Sequence, residues 1–284
     1  YRDVVSGIPG EVGAGVKDLI LDEEPKSALG LSWDVFNDEL VFRRFPDINT
    51  ITFTKRGLLS VIMSIYDPIG LLAPVVITAK ILMARVFETK CGWDVPLDQN
   101  IGAEFRNWLR KLQNLQQLKV PRFTGIPNAS GIARRELHLL ADGAHPAYGC
   151  CAYLRLVSHE GKVKCILIMA KTKVCPKKGR LTIPRVELSA AVLAACMAVL
   201  LQRQLDESFD AVWFWTDSMS TLAYIKNDTT RFHIFVGNRL EEIRATTTPT
   251  SWRHVPGENN VADVLTRPFE IPENLTSDHP FYRG

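Results

Sequence analysis

Leu137-His138-Leu139-Leu140-Ala141-Asp142-Gly143 is an apolar strand pattern that ends on an acid and a glycine. The same pattern returns at Val212-Trp213-Phe214-Trp215-Thr216-Asp217, directly before a predicted helix. In an α/β sheet, side chains at the carboxyl ends of strands face the crevice where ligands bind. The two stretches therefore predict one sheet whose edge carries Asp142 and Asp217 in equivalent places. Either acid alone is also explained as a turn former or a helix cap.

The elements around these stretches define the fold class. Periodicity predicts strands over 136–141, 148–157 and 163–173, a long helix over 184–204, a strand over 211–216, helices over 218–226 and 231–245, a strand over 251–255 and a last helix over 261–266. Three consecutive strands followed by alternating helix and strand indicate an α/β domain with a mixed sheet.

The first half of the chain has a different pattern. It predicts a β-hairpin over 29–45, with its turn at Asn37-Asp38, and helices over 54–66, 74–90 and 100–115. Trp93, Phe105 and Trp108 are expected in its core. Residues 121–131 concentrate Pro, Gly, Asn and Ser and are expected to form a linker. We therefore predict a hairpin-plus-helices segment over 1–128 and a second domain over 129–284.

Composition excludes several classes of protein. The 284 residues are 46% hydrophobic and 23% charged, which is typical of a globular chain and excludes disorder and fibrous structure. The net charge of +3 arises wholly after residue 128, because residues 1–128 hold 15 basic and 15 acidic side chains. Six cysteines lack metal-binding spacing and are expected to be reduced thiols. No signal peptide is visible and the longest apolar run, 190–201, is too short to cross a membrane, so we expect an intracellular, cytoplasmic protein without membrane contact.

Two further acids could join Asp142 and Asp217. Glu187 lies near the start of a mostly apolar helix, and Asp263 opens the last predicted helix. The helix dipole explains each of them equally well in isolation. Four carboxylates in one site would repel one another unless cations lay between them, which indicates Mg²⁺, or Mn²⁺, in a two-metal arrangement for phosphodiester cleavage.

A basic run precedes Glu187. It has no intervening acid and consists of Lys171, Lys173, Lys177, Lys178, Arg180 and Arg185. These residues either form a solvated hairpin or contact nucleic-acid phosphates close to the site.

The order of the acidic motifs resembles that of the ribonuclease H catalytic set. Its counterparts are Asp142-Gly143-Ala144, the helix start at 185–191, Trp215-Thr216-Asp217-Ser218 and Asn260-Val261-Ala262-Asp263. From about residue 29 to 267, the chain is also similar to the pol polyprotein of BEL/Pao-type LTR retrotransposons, through the stretches YDPIGLLAP (66–74), LTIPRVEL (181–188), WTDS (215–218) and WRHVPG (252–257).

This resemblance implies a fold and a function. The second domain would be a ribonuclease H-like mixed five-stranded sheet flanked by helices, and residues 1–128 would be the thumb-like or connection segment of a reverse transcriptase. Asp142, Glu187, Asp217 and Asp263 would bind two magnesium ions and cut the RNA strand of an RNA–DNA hybrid. The remainder of a reverse transcriptase would be a further partner.

Some features depart from that family. Tyr1-Arg2-Asp3-Val4 stands where a reverse transcriptase has its paired-aspartate turn, so we do not expect polymerase activity. The loop after His254 lacks the histidine of many ribonucleases H, and His254 itself is expected on a strand. The alternative function is a non-catalytic nucleic-acid-binding or assembly module. A third possibility is that the first half serves only as a folding partner of the second.

Overall fold

The computed structural model describes residues 26–28, 31–42, 45–122, 131–176, 181–205, 208–272 and 275–283. Within these ranges the strands are β1 (Lys26–Ala28), β2 (Leu31–Asp34), β3 (Glu39–Phe42), β4 (Lys119–Pro121), β5 (Ile132–Gly143), β6 (Ala147–Ser158), β7 (Val163–Val174), β8 (Ala211–Thr216) and β9 (Trp252–His254). The α-helices are α1 (Lys55–Ser64), α2 (Ala73–Glu88), α3 (Gln99–Leu112), α4 (Ile183–Gln204), α5 (Met219–Lys226), α6 (Ile234–Thr246) and α7 (Pro280–Arg283).

The second half contains the predicted mixed sheet of five strands. Its order is β7-β6-β5-β8-β9, with β6 antiparallel to both β7 and β5, and β8 parallel to both β5 and β9. Because β5 and β8 run parallel, their carboxyl ends meet at the same edge of the sheet. The predicted fold class is therefore confirmed.

Helix α4 packs along one face of this sheet. Pro184 lies in its first turn, where a missing backbone N–H costs nothing, and small and branched apolar residues follow. Leu188, Ala191 and Ala195 are fully buried with Leu137 and Leu139 of β5. In length and composition α4 could cross a membrane, yet 56% of its most apolar window is buried inside the protein. The helix is thus accounted for as a core element.

The first half forms a small antiparallel sheet, β1-β2-β3-β4, with α1, α2 and α3. Phe105 and Trp108 are buried as predicted, and the Trp108 Nε1 donates to the Val75 carbonyl oxygen at 3.1 Å. The prediction for Trp93 is wrong, because its side chain is 43% exposed. Trp93 contacts the Phe87 ring edge-on and lies beside the Lys55 ammonium group, so it belongs to a surface aromatic cluster.

One hydrophobic core joins the two halves. It combines side chains of α1, α2 and α3 with Tyr153 and Leu167 on the sheet face opposite α4, and with Leu265 and Phe281 near the C-terminus. The apolar face of β6 and β7 is therefore covered by the first half of the chain. The 128/129 boundary stays a prediction, but the described core extends across it.

The loop before α2 fixes this packing. The Asp67 carboxylate accepts hydrogen bonds from the backbone N–H groups of Leu71 and Leu72, at 2.8 and 2.7 Å, and so holds the turn that leads into the helix. The Ile69 carbonyl oxygen accepts a hydrogen bond from Ala170 N of edge strand β7 at 2.8 Å. Gly70 has φ +80°, and a Cβ there would lie 1.9 Å from the Ala170 carbonyl oxygen. Only glycine fits this contact.

Candidate active site

Asp142 and Gly143 end β5 directly against the start of α4. Asp142 is only 7% exposed, and its Oδ2 accepts a hydrogen bond from the Thr266 hydroxyl at 2.8 Å. A Cβ on Gly143 would lie 2.6 Å from Glu187 N. The glycine therefore lets the strand end approach the helix backbone closely enough to bring Asp142 and Glu187 into one region.

Asp217 and Glu187 meet at the end of β8. Ser218 follows Asp217 and caps α5, because its Oγ accepts a hydrogen bond from Thr221 N at 3.1 Å. The same hydroxyl donates to Glu187 Oε2 at 2.6 Å. Ser218 thus links the helix that carries Glu187 to the strand that delivers Asp217.

Asp263 lies on a short 3₁₀ turn, Val261–Leu265, where an α-helix was expected. Asn260 caps this turn and donates from Nδ2 to the Ala141 carbonyl oxygen at 3.2 Å, which ties the turn to β5 beside Asp142. The Asp263 carboxylate forms an ion pair with Arg267 at 2.5 Å. The turn thereby brings the fourth acid to the end of β5.

Electrostatics couple the four acids. Burial raises the pKa of Asp142 to about 6, and the charges of Asp217 and Asp263 contribute to this increase. Burial also raises the pKa of Glu187, again with a contribution from the charge of Asp217. Among the described residues, no lysine, arginine or histidine forms an ion pair with Asp142, Glu187 or Asp217. Within the part of the chain that the structure describes, Arg267 beside Asp263 is therefore the one cation paired with these acids.

The donor set fits a hard divalent cation, but its side chains do not converge on one point. Within the described ranges, no three His, Cys, Asp or Glu side chains form a group able to hold a metal ion. Instead, Asp142 contacts Thr266, Glu187 contacts Ser218 and Asp263 contacts Arg267. Carboxylate oxygens from several elements suit Mg²⁺ or Mn²⁺, and binding would exchange these contacts for the metal.

The predicted basic residues are only partly described. Lys171 and Lys173 are exposed on edge strand β7. Arg185 lies in the first turn of α4, with its guanidinium group 5.2 Å from the centre of the Phe235 ring. Lys177, Lys178 and Arg180 lie outside the described residues. A role of the basic residues in phosphate contact stays a prediction.

Three side chains that the sequence analysis missed hold the acids. Ser218 had a visible signal, because a serine between a strand and a helix is a typical N-cap. Asn260 had a similar one, since it precedes the predicted last helix. Thr266 had none, because its contact with Asp142 joins positions 124 residues apart in sequence.

Replacing Gly143 with alanine should destabilise the folded protein at the contact between β5 and α4. The new Cβ would contact the α4 backbone, which cannot give way as a flexible side chain would, so we expect a loss of about 1–3 kcal/mol in unfolding free energy. Urea unfolding of the variant measures it. Gly131→Ala is the matched control, because a Cβ there meets nothing within 4 Å. Equal stability of the two variants would contradict the close approach.

Replacing Asp142 with asparagine should stabilise the metal-free protein at neutral pH. The folded-state pKa is raised from 3.8 to about 6, so the folded state binds the proton more tightly than the unfolded state does. Stability then falls as pH rises from about 4 to about 6 and stays low above it, by up to about 3 kcal/mol. Asparagine carries no charge, so the variant avoids this loss of unfolding free energy. Its side-chain oxygen can still accept a hydrogen bond from the Thr266 hydroxyl.

Urea unfolding in EDTA at several pH values tests this expectation. Burial also raises the pKa of Asp67 to about 6, and that contribution is common to both proteins. The difference between wild type and Asp142→Asn should therefore grow between pH 4 and 6. If the difference in unfolding free energy did not change with pH, or if the variant were less stable at pH 7, the ionised Asp142 carboxylate would not destabilise the folded protein.

The sequence was compared with protein-family models and with curated proteins. A family model described as the Pao retrotransposon-like RNaseH-like domain matches residues 54–218, which include Asp142, Glu187 and Asp217 but not Asp263. No curated protein sequence matches the chain.

Solved structures that are similar include ribonucleases H and a viral protease-reverse transcriptase. Ribonuclease H1 from the halophilic archaeon Halobacterium salinarum is 21% identical over 46% of this chain and 93% of its own, with a TM-score of 0.32. LC11-RNase H1 in complex with an RNA/DNA hybrid is 14% identical over 45% and 92%, with a TM-score of 0.32. The prototype foamy virus protease-reverse transcriptase is 12% identical over 82% of this chain and 28% of its own, with a TM-score of 0.27.

Proposed function

Since the chain belongs to the Pao retrotransposon-like ribonuclease H-like family, we propose that it is a metal-dependent nuclease that cuts the RNA strand of RNA–DNA hybrids. The observation that carries this proposal is the electrostatic position of Asp217. Its charge acts on both Asp142 and Glu187, two half-buried or buried carboxyls delivered by different elements. A concentration of carboxylates whose pKa values are raised by burial and by one another is typical of a metal-binding catalytic site.

The residues proposed to hold two Mg²⁺ or Mn²⁺ ions are Asp142, Glu187, Asp217 and Asp263. When bound, such ions activate a water molecule and stabilise the leaving oxygen of a phosphodiester.

The supporting residues orient these acids. The Thr266 hydroxyl holds Oδ2 of Asp142, and the Ser218 hydroxyl holds Oε2 of Glu187. Asn260 anchors the turn that carries Asp263 to the backbone of β5. We expect these contacts to hold the carboxylates at the sheet edge in the metal-free protein, and metal binding would exchange them for the cation.

The substrate would approach along the same edge. Exposed Lys171 and Lys173, with Arg185 beside Glu187, are proposed to contact phosphates of the hybrid. Such contacts are independent of sequence and weaken with salt. We further propose that the chain acts within a pol polyprotein, where residues 1–128 connect the nuclease to the rest of a reverse transcriptase.

Cleavage of a labelled hybrid tests the proposal. The full chain is incubated with an RNA–DNA duplex whose two strands carry different fluorescent labels, in Mg²⁺, Mn²⁺ or EDTA. We expect cut RNA with either metal, intact RNA in EDTA and an intact DNA strand throughout.

The alternative is a nucleic-acid-binding module without turnover. It is favoured by the lack of a converged ligand group among the described acids. Hybrid binding with no cleavage in either metal would support this alternative and reject the nuclease.

A further inference from the structure

The sheet face opposite α4 is covered unevenly. Phe214 of β8 lies in the core beneath α4. Because successive side chains of a strand point to opposite faces of the sheet, its neighbours Trp213 and Trp215 point to the other face. There the first half of the chain packs over β6 and β7. Among the described residues, neither tryptophan belongs to any hydrophobic cluster, and both are only partly buried. Two large aromatic rings thus lie outside the cores on the face of β8.

Polar side chains, rather than apolar ones, contact these two rings. The Arg253 guanidinium lies 4.8 Å from the centre of the Trp213 ring, and Arg253 is opposite Trp215 in the β8–β9 register. The His138 ring lies nearly parallel to the Trp215 ring, with the ring centres 5.9 Å apart and an interplanar angle of 12°. Trp215 Nε1 also donates to His138 Nδ1 at 3.1 Å. The rings are therefore fixed in orientation while remaining partly accessible.

The charge beside the rings is positive. Glu136 is buried and forms ion pairs with both Arg134 and Arg155, so one carboxylate faces two guanidinium groups. Burial lowers the pKa of His138, which stays neutral at pH 7. With Arg253, the group carries two net positive charges. An anionic ligand complements this charge, and a flat aromatic one complements the rings.

We propose that this aromatic face, formed by Trp213, Trp215, His138, Arg253, Arg134 and Arg155, binds single-stranded nucleic acid. Bases would stack on the tryptophans and on the Arg253 guanidinium plane, and phosphates would contact the arginines. A duplex keeps its base faces inside the helix, so a single strand is the form that fits. Trp215 lies on β8 two residues, roughly 7 Å, before Asp217, which directly follows the strand, so the face adjoins the proposed nuclease site.

Binding of this kind needs no metal and does not depend on hydrolysis. The test is fluorescence anisotropy of labelled oligo(dT) and oligo(U) of about twelve nucleotides, with the full chain at low salt in EDTA. Arg253→Glu and Trp213→Leu should each weaken binding by roughly 5- to 100-fold. Trp213→Phe keeps a ring and should restore most of the affinity lost in Trp213→Leu. Arg203→Glu, an exposed arginine at the end of α4 on the other face, should bind like wild type.

Several outcomes would overturn the proposal. They are wild-type affinity in both Arg253→Glu and Trp213→Leu, an equal loss in Arg203→Glu, or competition by blunt duplex DNA as effective as that by single strands. The test is separable from the nuclease proposal, because Asp217→Asn should keep single-strand binding in EDTA. A wild-type chain that never cleaves hybrids but binds single strands through Trp213 would reject only the nuclease.

Discussion

Replacing Asp217 with asparagine should reduce hybrid cleavage by more than about 10³-fold. Asp217 is the one acid whose charge acts on both Asp142 and Glu187, so its loss removes a shared ligand of the proposed metal site. Metal ions supply several kcal/mol of transition-state stabilisation, and each 1.4 kcal/mol corresponds to about tenfold in rate. The measurement is the single-turnover rate of RNA cleavage in saturating Mg²⁺.

The matched control is Asp228→Asn. Asp228 is an exposed acid of the same half of the chain, in the loop after α5, and it makes the same change in charge. It should cleave at the wild-type rate. Isothermal titration with Mn²⁺ adds a readout that needs no substrate: wild type and Asp228→Asn should bind the metal, and Asp217→Asn should bind it much more weakly. Full cleavage by Asp217→Asn would remove Asp217 from the site.

The sequence predicted the sheet well because its information is local. The alternating pattern of 148–157 lies within one residue at each end of β6 (Ala147–Ser158), and the predicted strand 211–216 coincides with β8. Here side-chain alternation reports directly on burial. Strand β4 was missed, since three residues ending in Pro121 carry no pattern of their own. It exists because Leu40 and Val120 pair across the small sheet, a contact that only the tertiary fold creates.

The candidate site was likewise predictable only in part. The four acids could be proposed from sequence because each ends a strand or begins a helical segment, and motif order connected them. Their positioning groups could not, since Ser218 reaches Glu187 across 31 positions and Asn260 reaches Ala141 across 119. The aromatic face was also invisible, because Trp213 and Trp215 look like core residues until the coverage of each sheet face is known.

Residues 129–284 alone should fail to fold cooperatively. Removing the first half would expose Tyr153, Leu167, Leu265 and Phe281, which are buried in the shared core. At about 1.5–3 kcal/mol for each large apolar side chain, the loss of about 6–12 kcal/mol matches the whole stability of a typical domain. The fragment would also lose the hydrogen bond that joins Ile69 to Ala170 on β7. Urea unfolding followed by circular dichroism should show a broad transition, where the full chain shows a sharp one.

Two further measurements test whether the two halves depend on each other for folding. Adding residues 1–128 in trans should restore a cooperative transition, because the lost contacts are non-covalent. In the full chain, Gly70→Ala should weaken the same junction without removing any residue, since its Cβ cannot fit beside the Ala170 carbonyl oxygen. If the fragment instead unfolds sharply, with a midpoint close to that of the full chain, the second half is an autonomous domain. The first half would then contribute to function rather than to folding.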